Sequence, residues 1–401
     1  MMKNSKRGSS SVFLVMIMAT LFAITFALIT GARNEYIKSR SDAIINLAGD
    51  SVLSEFDTYV QQEYGLFLLG GHKSKLNSKL SSYVDYGISG MDNVKVTSAS
   101  INGSGYSIAN NEYIKEQIIS HMKYARTSGI LDKFMKASDA KNDMKYETLR
   151  NGATIVSLPT YDMPKTSLTA KAKALGENIE EAKTAFQTGT NKYLMNRYIL
   201  KYFNNMAYKT DDNHFFRNEA EYILGGELSD RKNEKRVEMA IVAMRFPINL
   251  AYLYSDKEKM AALLAAAEIL TPEAAPATQH VLAATWAYAE SDNDVKLLWD
   301  GSKVPLTKDN STWAVDMDSA IDGLNTGIFR PDKEKGQSYS DYLQMMLYFL
   351  DDEVKTARIM DIIQINTRMN DDSDFVIEEH CCGFHMSVGI NHKNFSYEKK
   401  Y

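Results

Sequence analysis

The densest group of reactive side chains is His380-Cys381-Cys382-Gly383-Phe384-His385. Two imidazoles and two thiols this close are the soft donors that zinc or copper takes. An extended strand, however, turns alternate residues to opposite faces. His380, Cys382, Phe384, Met386, Val388 and Ile390 would then share one apolar face, with Cys381 and His385 on the other, about 13 Å apart at roughly 3.3 Å per residue. One metal ion would need a bend to reach both, and a buried Cys382 in a core face is the simpler expectation. Adjacent cysteines also fit disulfide geometry poorly.

Acidic groups come next. Asp351-Asp352-Glu353 resembles a catalytic carboxylate set, but it has the composition of a helix N-terminus, where the dipole favours acids. Asp371, Asp372 and Asp374 form an acidic turn that lacks the further ligands and glycine of a calcium loop. Arg236, Arg245 and Arg358 fall in partly apolar helical stretches and are candidates for structural ion pairs or for snorkelling. The chain carries no phosphate loop, dinucleotide fingerprint or zinc-helix motif, and Gly87-Ile88-Ser89-Gly90 lacks the spacing of a nucleophile elbow. No catalytic, cofactor or metal residue is assigned, and the protein is not expected to be an enzyme.

The elements that would position these groups are mostly helical. The 401 residues are 44% hydrophobic and 24% charged, as in a folded chain rather than a disordered one. With net charge -5 and no basic stretch beyond the first residues, no nucleic-acid partner is expected, and two cysteines make no disulfide scaffold. Ile37, Ile44, Ala48, Val52, Phe56 and Tyr59 mark one apolar stripe. The pattern predicts a single helix from about Ser10 to about Leu69, closed by Gly70-Gly71. Val94 to Ile101 reads as a strand before an Asn102-Gly103 turn, and Asn110 to Arg126 as a helix with Ile114, Gln117, Ile118, His121 and Met122 inward. Ser157 to Ser167, with two prolines, reads as a linker, and Lys171 to Gln187 as a charged helix. Helical periodicity covers Tyr193–Phe203, Phe216–Leu224 and Ser229–Tyr254, the last kinked at Pro247. Ser255 with Glu258 and Ser338 with Asp341 read as helix starts, Pro272–Glu290 as a helix, and Val354–Met369 as a last amphipathic helix. Phe375 to Ile390 reads as a C-terminal strand or hairpin.

The N-terminus carries the strongest signal. After Lys3, Lys6 and Arg7, no charge occurs from Gly8 to Ala32. Eleven residues between Val12 and Ile29 are Leu, Ile, Val or Phe, which favours membrane insertion by roughly 3 to 6 kcal/mol. A helix of roughly 18 to 25 residues matches a bilayer core of about 30 Å. The anchor residues are Val12, Phe13, Leu14, Ile17, Leu21, Phe22, Ile24, Phe26, Leu28 and Ile29. A cleaved signal peptide, with Thr30-Gly31-Ala32 as its cleavage site, would have a shorter apolar core, and a buried core helix rarely stands at an N-terminus. The short basic leader places the N-terminus inside the cell and the remaining mass outside, although the charges flanking the span are nearly balanced.

Lys6-Arg7-Gly8-Ser9-Ser10-Ser11-Val12-Phe13-Leu14 resembles the leader of tight-adherence (Tad) pilus assembly proteins. Several segments resemble an uncharacterised family of Gram-positive, largely clostridial proteins with such a start: Ser51–Phe56, Glu63–Phe67, Glu219–Gly226, Arg245-Phe246 with Asn249, Lys303–Leu306 and Tyr339–Leu343. The resemblance implies a minor pilin-like or assembly component of a surface apparatus, no assigned activity, other pilin-like or Tad assembly proteins and the lipid bilayer as partners, and Gly8-Ser9 as the candidate leader-processing site. One position departs: counting from Ser9, Phe13 stands where pilins commonly carry glutamate.

The expected protein is therefore α+β, mostly α, with a small antiparallel sheet beside one long transmembrane helix that continues into a helical extracytoplasmic domain. The expected order is a basic leader (1–11), a transmembrane helix (12–32), an extended helix with a small α+β part (33–158), a helical domain (159–370) and a C-terminal strand or hairpin (371–401). A membrane-tethered extracytoplasmic enzyme or ligand-binding protein is the alternative.

Overall fold

A computed structural model of the chain describes residues 7–70, 73–91, 93–127, 157–161, 163, 167–187, 190–207, 214–321, 336–391 and 393–401. In chain order its elements are α1 (Arg7–Leu53), α2 (Thr58–Tyr64), α3 (Lys73–Ile88), β1 (Val96–Asn102), α4 (Asn111–Thr127), α5 (Leu168–Glu177), α6 (Ile179–Thr184), α7 (Asn191–Tyr202), α8 (Glu219–Gly225), α9 (Asp230–Ser255), α10 (Lys257–Leu270), α11 (Ala275–Trp299), α12 (Met317–Ile321), α13 (Tyr339–Phe349), α14 (Asp352–Asn370), β2 (Gly383–Ile390) and β3 (Lys393–Lys400). The fold is α+β and mostly helical, with one small antiparallel sheet, as the sequence pattern predicts.

The chain divides into two units. The first gathers residues 1–57, 68–107 and 379–401, and so contains α1, α3 and all three strands. The sheet order is β1-β2-β3, antiparallel throughout. Ile101, Met386 and Tyr397 align across it, as do Ala99, Val388 and Phe395. These residues face the helices. Ile45, Ala48 and Val52 of α1 and Leu76, Leu80 and Val84 of α3 complete the core. The four-residue spacing in α3 puts those three side chains on one stripe. The C-terminal half of α1 lies on β3, where Lys399 Nζ reaches Asn46 Oδ1 (2.8 Å) and the Asp50 carboxylate, and the Tyr397 hydroxyl meets Asp42. Gly49 lets α1 approach β2: a Cβ there would sit 2.7 Å from Met386 Cε.

Helix α1 does not run on to Leu69, as its apolar stripe predicts. It stops at Leu53, and a turn leads to the separate helix α2. The reason is side-chain capture: Glu55 is held by Lys79 Nζ and by the Tyr83 hydroxyl of α3. Asp57 N–H donates to Leu68 O at 2.8 Å, an extended contact that a continuing helix would not make. The C-terminal pattern is also finer than expected. Ile377–Glu379 is a 3-10 turn, and the hairpin is β2–β3.

The second unit holds residues 58–67 and 108–378 and is helical in its described residues. Helix α9 packs on α5 and α11. It continues through Pro247, whose ring lies against Gly176 of α5. An apolar cluster of Leu253, Leu263, Ala267, Leu282, Ala283, Trp286 and Val315 joins α9, α10, α11 and the segment before α12. Helix α10 is capped by Asp256, which accepts from the N–H groups of Glu258 and Lys259. Ser255, the expected cap, instead turns its hydroxyl back to Tyr252 O (2.7 Å). The capping box of Ser338 and Asp341 does open α13. Residues 171–187 form parts of two helices, α5 and α6, instead of one, and the Pro272 segment is a 3-10 turn before α11.

Helix α14 differs most from its pattern. It reads as amphipathic, yet residues Lys355 to Thr367 are all buried. Its polar side chains bond inward. Lys355 meets Asp352 and Asn196, and Gln364 accepts from Ile377 N–H and donates to Ser157. Asn366 donates to the Tyr64 hydroxyl and Glu219 and accepts from Phe215 N–H. A polar helix can sit at a core only when its groups are paired in this way.

Candidate functional site

Three places have the residue types of a site, and the structure treats each differently. The first is the N-terminal half of α1. The large apolar side chains from Val12 to Ile29, including all ten anchor residues, are 40–73% exposed. Thr20 and Thr25 return their hydroxyls to the carbonyls of Ile17 (2.8 Å) and Leu21 (2.6 Å), so these two hydroxyls are satisfied within the helix. The helix is long and apolar enough to cross a membrane. Gly8 and Ser9 lie within its first turns.

The second is a set of buried charges in the helical unit. Arg245 Nε donates to Asp294 Oδ2 at 2.8 Å, Nη1 to Leu306 O at 2.7 Å and Nη2 to Asn249 Oδ1 at 2.9 Å. Lys308 Nζ lies 2.7 Å from Asp294 Oδ1 and 2.5 Å from Glu290 Oε1. The other Glu290 oxygen accepts from Val315 N–H (2.8 Å). Two cations and two carboxylates thus form a neutral quartet whose side chains are all 0% exposed. Burial alone would push the Asp294 carboxyl up, but Arg245 and Lys308 hold it below its usual value. At Glu290 burial prevails over Lys308, and its carboxyl is raised. The quartet ties α9 to α11 and to the 304–315 segment.

Two of the sequence blocks quoted above, Arg245 with Asn249 and Lys303–Leu306, meet at this quartet, and two more connect to them. Tyr342 donates to Val304 O at 3.3 Å, and Tyr339 donates to Glu221 at 2.7 Å. Glu219–Gly226, Arg245 with Asn249, Lys303–Leu306 and Tyr339–Leu343 each take part in internal polar contacts. The link runs through Arg245 to Leu306 and through Tyr342 to Val304. Of the two sequence readings of Arg245 the ion pair holds; its particular partners were not legible, because Asp294 and Leu306 lie 49 and 61 residues away along the chain.

The third place is a pocket of about 290 Å³ between Leu158–Tyr161 with Met163, α8, the Gly226–Leu228 turn and α14. Asp361 lies beneath it. Its Oδ2 accepts from Thr160 Oγ1 and from the Tyr222 hydroxyl, both at 2.6 Å, and its Oδ1 accepts from Thr160 N–H at 3.2 Å. Burial pushes this carboxyl up to about 6 despite those bonds. Arg358 lines the pocket and caps α8, with Nη1 donating to Ile223 O (2.6 Å) and Leu224 O (2.9 Å). Gly226, at φ +70°, leaves room for the guanidinium: a Cβ there would lie 2.4 Å from Nη2. Arg236 donates to Gly225 O at 2.6 Å and pairs with Glu227.

The remaining predicted groups are placed apart. Cys381 and Cys382 precede β2 and are both buried as free thiols. Cys381 is not on an exposed face, as simple alternation predicts, because its backbone bridges Leu69 and Ser107 and draws it inward. Burial raises its thiol pKa and so disfavours the reactive thiolate. His385 does face outward, beside Asn102 and Glu398 across the sheet. Phe384, Met386, Val388 and Ile390 form the buried face as expected. Among the described residues no three His, Cys, Asp or Glu side chains converge as a metal would require. Asp351 and Asp352 open α14 and pair with Lys171, and with Lys355 and Lys115, respectively. Asp371, Asp372 and Asp374 lie on an exposed turn, with Asp374 N–H bonded to Asp372 Oδ1.

These features define a mostly helical α+β protein with, among the described residues, one helix long and apolar enough to cross a membrane and a helical unit cross-linked by buried polar groups. The chain belongs to a family of unknown function (DUF5702), whose model matches residues 109–392, more than half of its length. No curated protein and no solved structure matches it.

Proposed function

We propose that this protein is a membrane-anchored structural or assembly component, minor pilin-like in kind, of a Tad-type surface or secretion apparatus. In this reading α1 crosses the cell membrane once. Its N-terminus is cytoplasmic, the helical mass is extracytoplasmic, and its partners are other pilin-like or Tad assembly proteins. The observation that carries the reading is the division of α1: one unbroken 47-residue helix is apolar and exposed in its first half and packed on a sheet in its second. At about 1.5 Å per residue it is about 70 Å long, enough to span a bilayer and still enter a folded unit. The pilin-like leader, Lys6 to Leu14, supplies the link to the apparatus.

The test starts with fractionation of the full chain. It should sediment with membranes and be released only by detergent. Leu21→Lys with Ile24→Lys should move it to the soluble fraction, since two central lysines cost about 5 to 7 kcal/mol against the apolar gain. Uncut wild-type chain that stays soluble without detergent rules out the anchor. Deletion that leaves surface appendages and secretion intact rules out the assembly role. The mass of the mature N-terminus separates an intact anchor from cleavage after Gly8 or after Ala32.

A further inference from the structure

The pocket is bordered by a buried cation. Arg358 is only 6% exposed. Its Nη1 is engaged by the two carbonyls at the end of α8, while Nε and Nη2 donate to no described residue. Among the described residues no carboxylate comes within ion-pair distance of it. The two nearby carboxylates are both engaged. Glu227 pairs with Arg236, and Asp361 accepts three hydrogen bonds from Thr160 and Tyr222. A buried cation usually has an anion beside it, because desolvation is otherwise uncompensated. The partial negative charge of a helix end supplies only part of that.

We propose that this pocket binds a small monocarboxylate, with the ligand's carboxylate taking the Nε and Nη2 donors of Arg358, which no described residue takes, and its apolar body resting on Leu158, Met163, Leu228 and Val354. The planar fork of a guanidinium matches a carboxylate in bidentate fashion. A dianionic phosphate fits less well, because one guanidinium would face two charges with Glu227 also on the pocket wall. The volume of about 290 Å³ sets the size at a short aliphatic or single-ring acid. Nothing in this assignment depends on the membrane anchor or on a pilus role.

The probe is radiolabelled benzoate, measured by equilibrium dialysis against the full chain in a neutral detergent. Saturable binding with Kd of about 1 mM is expected for a fragment of this size. Benzyl alcohol, neutral and of similar shape, should not compete, and inorganic phosphate should compete weakly. Arg358→Gln should weaken binding at least tenfold. Because Arg358 also caps α8, that variant is paired with Leu228→Trp, which fills the pocket and leaves the guanidinium and its helix-end bonds in place. Leu228→Trp should weaken binding as much while keeping the wild-type circular dichroism spectrum. The assignment is overturned if the wild type shows no saturable benzoate binding, or if Leu228→Trp binds like the wild type. It also fails if phosphate displaces benzoate more effectively than unlabelled benzoate does.

Discussion

The two units spend their unusual residues in opposite ways. The sheet-containing unit puts apolar side chains outside, along the first half of α1, and leaves its ion pairs near solvent: Asp50, which meets Lys399, has a side chain 54% exposed. The helical unit, by contrast, encloses the charged side chains of Arg245, Lys308, Glu290 and Asp294, each 0% exposed. Exposed apolar surface needs an environment beyond the chain to cover it, whereas enclosed charge needs partners within the chain. On the proposed reading the first unit meets the membrane, and the second holds one internal arrangement.

The sharpest way to break that contrast is to remove one carboxylate from each unit. Asp294→Ala would strand Arg245 and Lys308 in a dry interior and should cost about 3 to 5 kcal/mol. Asp50→Ala removes a solvent-screened partner and should cost less than about 1 kcal/mol. All three tryptophans, Trp286, Trp299 and Trp313, lie in the helical unit, so urea unfolding followed by tryptophan fluorescence reads the first variant. Hydrogen exchange in β2 reads the second. Equal costs would show that burial does not separate the two units as described.

A smaller effect tests whether enclosed charge in the helical unit is tuned by burial. Asp361 has a folded-state pKa of about 6, above its ordinary 3.8. The folded protein therefore favours the neutral acid. The stability this brings is present at low pH and is withdrawn as pH rises from about 4 through about 6. The loss should approach about 3 kcal/mol. Asp361→Asn has no proton to lose. The stability difference between the two proteins, from urea unfolding at pH 4 to 7.5, should shift toward the variant by that amount as pH rises. A flat difference would mean that Thr160 and Tyr222 compensate the charge in full.

What could be read from the sequence follows the range of the interactions involved. The strand near 96–102, the helix α4, the buried face of β2 and the capping box at Ser338 and Asp341 were legible because each is fixed within a few residues. Helix α3 was passed over, although Leu76, Leu80, Val84 and Ile88 have the spacing that could have found it. The end of α1 was not legible, because Glu55 is captured by residues 24 and 28 positions away. For the same reason Arg245 and Arg358 could be singled out as odd but not assigned, since their partners come from distant segments. Helix α14 misled most: a helix with polar residues on several faces looks half-exposed until those partners are known.

The smallest expected effect compares two glycines at helix crossings, one in each unit. Gly176 lies where α5 meets α9, and a Cβ there would stand 2.1 Å from the backbone oxygen of Met244. Backbone in a packed helix cannot step aside, so Gly176→Ala should push the helices apart and cost about 1 to 3 kcal/mol. Gly49, at the crossing of α1 over β2, would instead meet the tip of Met386, with Cε at 2.7 Å and Sδ at 2.8 Å. A methionine end has several low-energy rotamers and can swing away. Gly49→Ala should therefore cost less than about 1 kcal/mol and leave exchange in β2 close to wild type. If Gly49→Ala proves the more damaging of the two, the seat of α1 on the sheet is the more tightly fitted crossing, and the fixed internal arrangement ascribed to the helical unit describes the sheet-containing unit better.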